Sequence, residues 1–199
     1  MKIVTGGVCA AKGFTANGVH CGIRKNKQKR DLSLILSETR AAAAAVYTTN
    51  LVKGAPLAVT KQNLADGYAQ AIVCNSGIAN ACTGEEGFGY CRETAKAASE
   101  SLGIPEDSVL VASTGVIGMQ LPIDRIANGV KAMAPKLEGS REAGLEAAKA
   151  IMTTDTEKKE AAVEIEIGGK TVTVGGMCKG SGMIHPNMCT MLGFITSDV

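Results

Sequence analysis

Asp107-Ser108-Val109-Leu110-Val111-Ala112-Ser113-Thr114-Gly115-Val116-Ile117-Gly118 is where the sequence commits to a fold. Residues 107–112 form a short apolar run with β-branched members, the pattern of a buried strand. The run leads into Ser, Thr and Gly, the composition of a turn. An amphipathic helix is expected on either side. Over 86–101, Cys91, Thr94, Ala95 and Ala98 fall at helical spacing and Gly103 supplies a stop. Over 123–137, Ile123, Ile126, Ala127, Val130, Met133 and Ala134 share one face. A buried strand between two such helices belongs to an α/β protein of layered sheets and helices.

Working outward, Ala71-Ile72-Val73-Cys74 reads as a second compact strand, running into a loop of small polar residues over 75–84. Upstream, strands are expected at 20–23, 31–37 and 41–50, a further sheet segment at 56–60 and a short helix at 61–69. Downstream, 140–152 reads as a helix, and 162–167 with 171–174 flank Gly168-Gly169 as a hairpin. The hairpin delivers the chain to Lys179-Gly180-Ser181-Gly182-Met183-Ile184-His185-Pro186-Asn187-Met188-Cys189-Thr190-Met191-Leu192. No repeat or low-complexity linker interrupts this order, so one mixed α/β domain is expected.

Composition removes several classes of function. Hydrophobic residues make up 45% and charged residues 20% of the 199 residues, ordinary for a globular protein. Aromatics are only 3%, leaving few stacking platforms for bases. The formal charge of +2 gives no reason to expect a polyanion partner such as nucleic acid. No apolar run is long enough to span a membrane. Seven cysteines without a CxxC, and two histidines, read as reduced, mostly buried thiols in a cytoplasmic protein with no metal site.

The candidate residues each admit a plain and a chemical reading. Thr114 and Gly115 are a strand exit, or an oxyanion hole in which a hydroxyl and a backbone N–H meet a developing negative oxygen. Asn75, Ser76 and Asn80 line a cleft or, as favoured here, cap a loop. Thr153, in Thr153-Thr154-Asp155-Thr156, ends a helix or binds a substrate group. Lys179 is a solvated lysine on a turn or an anion contact approached through glycines. The basic run 24–30 reads as a solvated turn, with a surface for an anionic metabolite as the alternative. Lys12 and Asp31 read as surface or scaffold, and His185, held extended by Pro186, as a structural hydrogen-bonding residue.

Thr190 has no Ser-His-Asp arrangement to activate it. If the bond after Cys189 is cut, however, the new α-amine, with a pKa of roughly 7.7–8.0, can take the proton of the neighbouring hydroxyl. Such chemistry needs a small segment before the threonine and an apolar strand after it, and 187–195 has that form.

Six stretches in order carry a resemblance over essentially the whole chain. They are Lys12-Gly13-Phe14; Val46-Tyr47-Thr48-Thr49-Asn50; Asn75-Ser76-Gly77 with Ala79-Asn80-Ala81-Cys82-Thr83-Gly84; Ser113-Thr114-Gly115-Val116-Ile117-Gly118; Met152-Thr153-Thr154-Asp155-Thr156; and the stretch from Lys179 to Leu192. Together they resemble the bifunctional glutamate N-acetyltransferase/ornithine acetyltransferase family of arginine biosynthesis. The resemblance implies a self-cleaving N-terminal-threonine acyltransferase with an α/β fold of the ornithine acetyltransferase type. It implies cleavage between Cys189 and Thr190, giving an α chain over 1–189 and the start of a β chain at 190–199. Acetyl then passes from N-acetylornithine to Thr190 and on to glutamate, with no metal or organic cofactor; acetyl-CoA serves some members as a second donor. Thr114 and Gly115 match the oxyanion hole, and Thr153, Lys179 and Thr190 match substrate-binding positions. Ile78 and Cys189 depart from the residues common at those places. Family members are about twice as long, and part of their substrate pocket lies in the second half. An incomplete enzyme that awaits a C-terminal half, in an α2β2 assembly, is therefore expected. The rival readings are an N-terminal-threonine amidohydrolase or aminopeptidase, and an inactive remnant that binds a partner.

Overall fold

The computed structural model describes residues 1–180 and 191–199. Among these residues, eight strands form two four-stranded sheets. One sheet has the order β2-β3-β4-β5, comprising β2 (Phe14–Val19), β3 (Leu32–Ala42), β4 (Tyr68–Ile78) and β5 (Val109–Val116). The other has the order β1-β6-β7-β8, comprising β1 (Lys2–Val4), β6 (Lys159–Ile167), β7 (Lys170–Lys179) and β8 (Leu192–Ser197). The four helices are α1 (Ala55–Asn63), α2 (Gly84–Leu102), α3 (Ile123–Met133) and α4 (Arg141–Ile151).

Strand periodicity separates two cores. On β3 and β4, Leu32, Leu34, Ala71 and Val73 face the first three helices, against Val59, Cys91, Ala95, Ile126 and Val130. The intervening residues Ile35 and Cys74 face the opposite way, onto Ala147, Ala148 and Ile151 of α4 and Met177 of β7. Residues two apart on a strand share a face, so a single strand supplies both cores. The helix α4 lies between the two sheets and touches both. Its approach to β2 is close enough that a Cβ on Gly18 would stand 2.0 Å from the carbonyl oxygen of Glu146.

The expected helices over 86–101, 123–137 and 140–152 correspond to α2, α3 and α4, and the Gly168-Gly169 hairpin joins β6 to β7. Gly103 closes α2 at φ +67°, its N–H donating to the Ser99 carbonyl. The hydroxyl of Ser140 caps α4 through the Ala143 N–H at 3.2 Å.

Several expected elements differ. Residues 56–60 belong to a helix, because Pro56 fits the first turn of α1 and Thr60 spends its hydroxyl on β5, donating to the Val111 carbonyl at 2.7 Å and accepting from its N–H at 3.0 Å. Residues 43–50 form no strand: β3 ends where its partner does, at the Ala42–Tyr68 pair, and a strand needs a ladder. The segment 20–23 is a turn around Asp31. That carboxylate is fully buried, accepts from the backbone N–H groups of Cys21 (2.6 Å) and Arg24 (2.9 Å), and lies 3.1 Å from His20 Nδ1. Asp31 is thus scaffold rather than surface. Asp31→Ala strands two N–H donors, so we expect a loss of about 3 kcal/mol in a urea titration.

The six cysteines described are all free thiols; Cys74 and Cys91 are buried, Cys9, Cys21 and Cys178 half-buried, and Cys82 exposed. Among the described residues no helix is long and apolar enough to cross a membrane.

Candidate active site

Two clusters of the singled-out residues form at the ends of strands, linked by α4 and β4. The first begins with the parallel pairing of β4 and β5. Both strands run further than their apolar residues alone indicate, because each offers the other a ladder through 75–78 and 113–116. This register sets Ser76 beside Thr114 and Gly77 beside Gly115. Gly115 adopts φ +137°, and a Cβ there would lie 2.3 Å from the carbonyl carbon of Gly77, so only glycine fits. Thr114 is buried, while Gly115 and the residues after it are open to solvent.

Asn75 and Ser76, expected in a loop, lie on β4, and with Asn80 they act as structure. Asn75 donates to the Ile78 carbonyl at 2.9 Å and accepts from the Ser113 hydroxyl at 2.6 Å. Asn80, fully buried at φ +49°, donates to the Gly87 carbonyl and accepts from the Thr83 hydroxyl. Ser76 reaches across to α4, its hydroxyl donating to the Ala150 carbonyl at 2.5 Å. This bond ties the Thr114 rung to the last turn of α4, from which Thr153 follows two residues beyond the helix end.

Thr153 and Lys179 anchor the second cluster, and Asp155 joins them. Its Oδ2 accepts from the Thr153 N–H at 3.2 Å; its Oδ1 accepts from the Gly180 N–H at 2.8 Å and from Lys159 Nζ at 2.7 Å. Burial pushes the Asp155 carboxyl up, but Lys159 and the two N–H donors outweigh it and hold the pKa at about 2. Lys179, the last residue of β7, is buried rather than solvated on a turn, and its ammonium donates to the Gly180 carbonyl at 2.7 Å. Burial lowers its pKa, against the charge of Asp155, which raises it. The Cys74 thiol is itself pushed up to about 12 by burial.

The basic run 24–30 comes to the same place. Arg24 donates through its guanidinium to the Met152 carbonyl, and Arg30 pairs with Glu146 at 2.7 Å. With Lys29, Met152, Thr153 and Asp155 they line a cavity of about 300 Å³. The run is therefore more than a solvated turn at Arg24 and Arg30, although 25–29 are exposed.

Neither Asp155 nor the Ser76–Ala150 link carries a local sequence signal. Asp155 sits inside Thr153-Thr154-Asp155-Thr156, which reads as a helix stop, and its partner Gly180 is too distant in sequence to mark it. Thr190, the expected cut after Cys189, and His185 lie outside the described residues. On the described flanks, Lys179 pairs with Leu192 across β7 and β8.

With this geometry in place, residues 15–199 match the ArgJ family. The chain is 54% identical over its full length to the arginine biosynthesis bifunctional protein ArgJ of Symbiobacterium thermophilum, covering 49% of that protein. The crystal structure of the arginine biosynthesis bifunctional protein ArgJ from Bacillus halodurans superposes with a TM-score of 0.89 at 47% identity, over 96% of this chain and 97% of that one. That of ornithine acetyltransferase from Mycobacterium tuberculosis, complexed with ornithine, gives 0.86 at 39% identity, over 96% and 99%. The fold is thus of the ornithine acetyltransferase type, and the chain belongs to the ArgJ family. It spans about half the length of the curated relatives it matches.

Proposed function

We propose that this chain is the first part of an acetyltransferase of arginine biosynthesis that moves acetyl from N-acetylornithine to glutamate. The observation that carries the reading is the nearly end-to-end match to an ornithine acetyltransferase crystallised with ornithine. In this reading the full-length protein cuts itself between Cys189 and Thr190, giving an α chain over 1–189 and a β chain beginning at 190. Two further facts support it. Solved relatives occur as chains of about this length, whereas curated relatives are about twice as long. The ends of β7 and β8 also meet beside Asp155 and Lys179, charged groups suited to a substrate.

The mechanism follows from the residues. The Thr190 α-amine accepts the proton of its own hydroxyl, and the oxygen attacks the acetyl carbonyl of N-acetylornithine. Negative charge gathers on the carbonyl oxygen and is met by the Thr114 hydroxyl and the Gly115 N–H. The C–N bond breaks, the ammonium of Thr190 returns a proton to the departing amine, and ornithine leaves an acetyl ester. The glutamate amine attacks that ester by the reverse route. Thr153 and Lys179 hold the substrates, and neither metal nor organic cofactor takes part. Acetyl-CoA, as an alternative donor, accounts for a second activity of the kind implied by the word "bifunctional" in the relatives' names. The second half completes the pocket within a cytoplasmic α2β2 assembly.

Incubation of the full-length protein with N-acetylornithine and labelled glutamate tests this function. The expected result is labelled N-acetylglutamate with parallel-line initial-rate kinetics. Free acetate in its place identifies an N-terminal-threonine amidohydrolase, and no turnover at all identifies a binding remnant.

A further inference from the structure

Asp155 has no part in the mechanism above, yet its side chain is only 4% exposed and holds three donors from three elements. One donor leads the loop after α4, one follows the end of β7, and one comes from Lys159 at the start of β6. Gly180 is pressed so near that a Cβ would stand 3.3 Å from Asp155 Oδ1. A neutral amide could not replace this carboxylate. It has one acceptor oxygen, and its NH2 would face one of the two backbone N–H groups.

The charge of Asp155 also matters for Lys179. Among the described groups, Asp155 from the α4 exit loop favours the charged form of that ammonium, while burial and Lys159 from β6 oppose it; the Cys74 thiol of β4 also faces it. We propose that Asp155 is a positioning residue of the acetyl-transfer site: its carboxylate fixes Thr153 and the Lys179–Gly180 backbone in one frame. This inference rests on Thr153 and Lys179 being the residues that contact substrate.

The sign of the effect is set by the buried cation. An ammonium that is needed for binding is lost as pH rises through its pKa, so Lys179 governs the alkaline limb of kcat/KM for N-acetylornithine. In the full-length protein, Asp155→Asn removes the favourable charge and moves that limb to lower pH, with KM for N-acetylornithine up about tenfold and kcat changed less. Lys159→Met removes the opposing charge and moves the limb to higher pH. The Lys159 side chain is 44% exposed, so this second variant provides the test even where the first fails to fold. A purely structural role for Asp155 lowers the active fraction and leaves both limbs in place, and that result overturns the inference. Lys179→Met separates the two levels. If it leaves KM unchanged, the underlying assignment of Lys179 fails; if it damages binding while neither limb moves, only the role of Asp155 fails.

Discussion

Thr190→Ala in the full-length protein is expected to leave the chain uncut and to lower acetyl transfer by about 10⁴-fold or more. The substitution removes the attacking oxygen. It also removes the hydroxyl that attacks the preceding carbonyl to open the chain, so the α-amine that serves as base never appears. Both losses trace to one atom. Thr190→Ser keeps hydroxyl and amine and is expected to retain cleavage and a measurable rate. Denaturing gel electrophoresis reports cleavage, and release of ornithine reports transfer. A fully active Thr190→Ala protein removes this residue from the chemistry.

Gly115→Ala is expected to lower kcat by at least about 10²-fold and to destabilise the fold by about 2–4 kcal/mol. A side chain at 115 meets the carbonyl carbon of Gly77 at 2.3 Å and must also adopt φ +137°. The β4–β5 rung has to open, carrying the Gly115 N–H away from the oxygen it is proposed to meet. Thr114→Val isolates the electrostatic part. It keeps the shape of a buried side chain and removes only the hydroxyl, so about 10²-fold in kcat should disappear with little change in melting temperature. Equal kinetics for Thr114→Val and the parent protein remove the hydroxyl from the oxyanion hole.

Features governed by neighbours in sequence were legible before the structure. The α2, α3 and α4 helices advertise themselves by apolar spacing and, for α2, by the Gly103 stop, and the β6–β7 hairpin by its two glycines. Elements decided by distant partners were not. Pro56 and the Thr60–Val111 bonds make α1 a helix although its residues suit a strand. Residues 43–50 look strand-like but have no ladder to join, and 20–23 curl around a carboxylate several residues later in the chain. The candidate site divides in the same way. Its motifs could be read in order, because glycines and hydroxyls at a strand end carry a chemical meaning of their own. That Asp155 binds Gly180, that Ser76 reaches α4 and that Arg24 reaches Met152 depend on the tertiary arrangement, and no local pattern encodes them.

The central claim is a threonine that becomes an N-terminus and then carries acetyl. Intact-mass and peptide mass analysis of the full-length protein, mixed with N-acetylornithine in the absence of glutamate, tests it most directly. The expected result is a break between Cys189 and Thr190 and one acetyl group on the Thr190 side chain, discharged when glutamate is added. An uncut chain that still converts glutamate to N-acetylglutamate, or a cut chain that transfers acetyl without ever carrying it on Thr190, contradicts the account.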